Sequence, residues 1–110
     1  MPKTLNPSLP DYHGGSIVNL TASLLAARGG TNDIYPPLRL LPPAEIADAR
    51  HLVLLVVDGL GLDTLLRLGP GGHLHRHLRG GITSVFPSTT ASAIPSFLTG
   101  YAPRQHALTG

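Results

Sequence analysis

The chain has 110 residues, 13% charged and 42% apolar, a balance that allows one domain or a piece of one and argues against a solvated disordered polymer. The absence of Cys excludes a disulfide scaffold and any thiolate metal site. The formal net charge is +2 with the cations dispersed and no Trp, so no stripe forms for a nucleic-acid backbone and nucleic acid is not an expected partner.

Residues 1 to 15 read as an extended lead punctuated by Pro and Gly. It lacks the apolar core of a signal peptide, which makes the cytoplasm the default expectation. A helix is predicted next, with Ser16 as N-cap and Ile17, Leu20, Thr21, Leu24 and Leu25 along one face. Gly29-Gly30 ends it. Thr31 to Pro43 holds two Pro-Pro pairs and predicts a stiff connection, followed by one or two helical turns over Ala44 to Ala49.

Leu52 to Val57 is six apolar residues in a row, which predicts a strand buried on both faces, as in a parallel sheet under helices. The run is far too short to span a membrane, so no membrane partner is expected. A helix is predicted over Leu60 to Leu68, a second strand over Ile82 to Val85, and a further helix over Thr90 to Leu98 closed by Gly100. Pro95 stands inside that last segment and predicts a kink or a later start. Strand, helix, strand, helix is an α/β pattern with a parallel sheet. Two strands are few for a sheet, so the sequence reads as the first part of a larger domain.

Two places carry potential chemistry. Asp58 follows the first predicted strand, where open α/β sheets bind ligands, and its carboxylate suits a divalent cation. The alternative is that Asp58 caps the next helix. Ser88, Thr89, Thr90 and Ser92 cluster where the second predicted strand meets a helix N-terminus, a setting that suits phosphate and a hydroxyl nucleophile. Here the alternative is a Ser/Thr-rich cap without chemistry. The two places strengthen each other, since both would face one edge of the sheet.

Leu54 to Gly61, Ser84 to Thr90 and Phe97 to His106 together resemble the type I phosphodiesterase / nucleotide pyrophosphatase family of the alkaline phosphatase superfamily. The resemblance covers Val53 to Gly110. It implies the N-terminal part of an alkaline phosphatase-like parallel or mixed sheet sandwiched by helices. Residues 1–50 would then be an N-terminal extension, and 51–110 the start of an incomplete catalytic domain. It further implies two divalent metal ions, zinc as a rule, with Asp58 and Thr90 as metal ligands and Thr90 as the nucleophile; Thr89 is the second choice. The implied reaction is hydrolysis of a phosphodiester or pyrophosphate bond in a small phosphate-ester substrate through a phosphothreonine intermediate.

Two departures from the family pattern matter. Ala93 stands where many nucleotide pyrophosphatases have an asparagine that binds a phosphoryl oxygen. The remaining metal ligands would lie beyond Gly110, so these 110 residues alone are expected to be inactive. Alternatives are phosphomonoesterase, phosphonate hydrolase or phosphomutase chemistry, or a non-catalytic remnant. A sulfatase is not expected, because Ala91-Ser92-Ala93 does not fit its nucleophile motif. His73, His75 and His77 alternate in a metal-like way but read first as a solvent-facing loop or helix end. His106 reads as a structural hydrogen-bonding residue. Asn19 is left open between a polar helix face and a group supporting the site.

Overall fold

In the computed structural model, which describes residues 8–109, the first helix α1 spans Ile17–Ala27 with Ser16 as its N-cap. Ser16 is extended, and its backbone N–H donates to Asn19 Oδ1 at 3.0 Å, so the side chain at the third helical position returns to the cap. The helix ends at Arg28, and the N–H groups of Gly29 and Gly30 close onto Ala26 and Leu25 carbonyls. The start and stop match the sequence reading. The buried face matches at Ile17 but then turns: Val18, Asn19, Ala22 and Ser23 are buried with it, while Leu25 is exposed.

The reason lies in the Pro-rich connection. Pro36 and Pro37 have no N–H to donate, so this stretch depends on side chains and on a neighbouring helix for its hydrogen bonds. Asn19 Nδ2 donates to the Pro36 carbonyl at 2.8 Å, and Ser23 Oγ accepts from Leu38 N–H at 2.7 Å. The polar stripe of α1 therefore faces inward, as the strip on which residues 31–43 are laid down. A 3-10 turn, Pro43–Glu45, follows where one or two helical turns are expected.

Further along, α2 spans Leu62–Leu68, α3 His73–Arg76, α4 Thr90–Thr99 and α5 Pro103–His106. Helix α4 runs through Pro95 and ends at Gly100, which takes a left-handed φ of 72°. The chain divides into two compact units, one of residues 8–48 with 82–109, the other of residues 49–81. In the first, Ile17, Val18, Tyr35, Val85 and Ala102 form the core, with Tyr12, Ala93, Phe97 and Tyr101 packed against it. Tyr12 and Tyr35 meet with ring centroids 5.7 Å apart. In the second, α2 packs on α3.

The expected α/β fold is corrected here. Among the described residues there is no sheet, and the bridge present is a single parallel contact between Ser16 and Thr83. An alkaline phosphatase-like sheet sandwiched by helices is therefore not the architecture of this chain. Ile82 to Val85, predicted as a strand, touches the chain before α1 through Ile17 N–H to Thr83 O at 3.0 Å and Thr83 N–H to Gly15 O at 2.8 Å, and goes no further. Leu52 to Val57 has no regular secondary structure and pairs with no strand among the described residues, and Val53 and Leu55 are 90% and 79% exposed. A strand apolar on both faces needs neighbours on both edges and a cover on each side. Its own unit offers one helix of 7 residues and one of 4.

Candidate functional site

Thr90 is the first residue of α4 and Thr89 is its N-cap, so the hydroxyl-rich segment does meet a helix N-terminus. Thr89 carries the extended cap conformation, and its Oγ1 lies 3.1 Å from Ser92 Oγ. The backbone N–H groups of Ser92 and Ala93 both bond to the Thr89 carbonyl, which anchors the first turn. Ser92 is fully buried, whereas Ser88, Thr89 and Thr90 are exposed. Thr89 is thus the N-cap by its backbone, its side chain meeting Ser92 rather than a helix N–H, and Thr90 follows it on the solvent side.

Ala93, at the position where the resembled family has asparagine, packs against the core of its unit. A polar side chain there would have to leave that core to reach a ligand at the helix N-terminus. The missing asparagine is therefore matched by a position built for a small apolar residue.

Asp58 lies in an exposed turn with Gly59, directly after the apolar run. Gly61, not Asp58, is the N-cap of α2. Asp58 belongs to the unit of residues 49–81 and Thr90 to the other. Among the described residues no group of three His, Cys, Asp or Glu stands together as a metal site.

Sequence reasoning did not find the pair made by Ser96 and His106. Ser96 is fully buried on α4, and its Oγ lies 3.0 Å from His106 Nε2. His106 Nδ1 is approached by the Leu108 backbone N–H at 3.1 Å, so Nδ1 accepts and the neutral ring carries its proton on Nε2. Nε2–H then donates to Ser96 Oγ, while Ser96 O–H donates to the Ser92 carbonyl at 3.2 Å. The imidazole cannot accept the serine proton in this arrangement. The pair is a lock between α4 and α5, not an activated nucleophile, and the hydrogen-bonding role read for His106 is the one observed.

Asn19 has a comparable structural part. Its Oδ1 accepts from Ser16 N–H and Ser16 Oγ, and its Nδ2 donates to the Tyr12 and Pro36 carbonyls. No capacity of the amide is left for a ligand. On the surface, Arg39 pairs with Asp11 at 2.6 Å. That hydrogen bond, followed by one from the His13 backbone N–H, holds the Asp11 carboxyl below its ordinary value.

No helix among the described residues is long and apolar enough to cross a membrane. No protein-family profile, curated protein or solved structure matches the chain.

Proposed function

We propose that this chain carries the nucleophile of a metal-dependent hydrolase of phosphodiester or pyrophosphate bonds, with Thr90 attacking phosphorus; Asp58, in the other unit, is by itself a candidate carboxylate ligand. The observation that carries the reading is the position of Thr90. It opens a helix of 10 residues and is exposed to solvent. A helix N-terminus favours the negative charge of a phosphoryl group, and an accessible hydroxyl there can take that group and pass it to water. Asp58 supports the reading as an exposed carboxylate in a tight turn that does not cap α2.

The metal pair implied by the family resemblance is only partly provided for. A catalytic zinc needs about three protein ligands. Asp58 and Thr90 offer one carboxylate and one hydroxyl, and no trio of ligating side chains gathers among the described residues. These residues do not compose the metal centre, so the proposed chemistry rests on Thr90 Oγ1 as phosphoryl acceptor and on the helix N-terminus beside it. The substrate class is a small phosphate ester.

The test uses the protein carrying this sequence, assayed on bis(p-nitrophenyl) phosphate with added zinc. Thr90→Ala should lower turnover by about 10³-fold or more, Thr90→Ser should retain part of it, and Thr89→Ala should cost far less. Mass spectrometry of an acid-quenched reaction should find a p-nitrophenyl phosphoryl group on the peptide containing Thr90, one p-nitrophenolate having left on its formation. Normal turnover by Thr90→Ala would remove it as nucleophile. A substrate preference for monoesters would move the protein to a related phosphomonoesterase activity.

A further inference from the structure

The unit of residues 49–81 contains a pair of side chains that the proposed hydrolysis does not use. His73 opens the one-turn helix α3, and His77 is its C-cap. Residues four apart on a helix lie on the same face. Their imidazoles meet here, with ring centroids 4.5 Å apart and planes inclined by 41°. His77 Nδ1 lies 2.9 Å from the His73 carbonyl oxygen. A carbonyl only accepts, so Nδ1 carries the proton and the neutral ring keeps a lone pair on Nε2. This is the arrangement by which metal-binding histidines are commonly oriented, with one nitrogen tied to a carbonyl and the other left to coordinate.

We propose that His73 and His77 form a two-imidazole site for a borderline divalent transition cation such as Zn²⁺. Imidazole nitrogen suits this class of ion, whereas Mg²⁺ and Ca²⁺ prefer oxygen. His75, two residues on from His73, points away from the shared face and takes no part. Water fills the remaining coordination positions, since among the described residues no third ligating side chain stands with the pair. The site is therefore open and exchangeable, unlike the closed four-ligand sites that hold structural zinc. A cation across one helical turn also ties together the two ends of a 4-residue helix that is too short to be stable alone.

The experiment titrates the complete chain with zinc sulfate and follows the histidine ring signals by NMR, with calorimetry for the affinity. The His73 and His77 signals should move together at one zinc per chain, and those of His13, His51, His75 and His106 should stay in place. His73→Gln and His77→Gln should each weaken binding by about tenfold or more, and His75→Gln should leave it unchanged. Zinc shifting a different set of histidines, or equal affinity in the His73→Gln and His77→Gln variants, overturns the proposal. Absence of binding at millimolar zinc does so as well. Thr90→Ala should leave this affinity untouched, so the site and the proposed hydrolysis fail or stand separately.

Discussion

The side-chain amide of Asn19 donates to the carbonyl oxygen of Pro36 at 2.8 Å, across 17 residues of sequence. One buried side chain thus joins the cap of α1, the turn at Tyr12 and a Pro-rich segment with few donors of its own. Removing it strands several groups at once. A buried polar group left without its partner costs about 1–3 kcal/mol. Asn19→Leu is expected to destabilise the protein by about 3 kcal/mol or more, and Asn19→Asp by no less, because its buried carboxylate would face the Tyr12 and Pro36 carbonyl oxygens with no donor between them. Chemical denaturation followed by circular dichroism measures both. A loss below about 1 kcal/mol for Asn19→Leu would show that the amide is dispensable.

The lock between α4 and α5 makes a claim about a proton. Long-range ¹H–¹⁵N correlation spectra should find neutral His106 with its hydrogen on Nε2, because Nδ1 accepts from Leu108. Ser96→Ala should cost about 1 kcal/mol, and its combination with His106→Gln should be less than additive. A neutral ring protonated on Nδ1 contradicts the hydrogen-bond assignment and would reopen Ser96 as a candidate nucleophile.

Gly100 ends α4 at φ 72°, and a Cβ built there would lie 3.2 Å from Asn32 Nδ2 and 3.4 Å from Thr21 Cγ2. Gly29 has a similar φ of 80° but open space around it. Gly29→Ala therefore meets only the backbone cost of about 1–2 kcal/mol. Gly100→Ala should cost more, because Asn32 also donates to the Gly100 carbonyl at 2.8 Å and would have to shift. Equal losses in thermal unfolding would mean that the crowding is relieved at no cost.

The Asp11–Arg39 pair sets an acid limit. The Asp11 carboxyl is held below 3.8 in the folded chain, first by the hydrogen bond from Arg39. Its contribution is fully present above that unfolded value and is lost as the pH falls through the lower folded one. A ¹³C carboxyl titration should place the midpoint of Asp11 below 3.8, and Arg39→Gln should raise it. An unchanged midpoint in that variant would assign the shift elsewhere.

Val53 and Leu55 are exposed in an apolar run whose backbone joins no ladder among the described residues. Exposed apolar segments of this kind associate. Leu55→Lys should reduce concentration-dependent light scattering without altering the unfolding transition of the α1–α4 core. Persistent scattering in Leu55→Lys and Val53→Lys alike would place the association elsewhere.

Local signals in the chain were sufficient for much of the helical structure. Ser16 before an apolar run, Gly29-Gly30 after it, and Thr89-Thr90 ahead of α4 mark helix ends because capping is chemistry between near neighbours. The same locality exposed Thr90 and Asp58 as candidates, and the structure places the N-cap of α2 at Gly61. Sequence could not decide whether Leu52 to Val57 and Ile82 to Val85 become strands. A strand exists only through a partner, and that partnership is a tertiary event. The inward turn of Asn19 and Ser23 was equally illegible, since hydrophobic periodicity assigns polar residues to solvent. The Pro-rich segment laid across α1 reversed that assignment, because the Asn19 and Ser23 side chains bond its Pro36 carbonyl and Leu38 N–H.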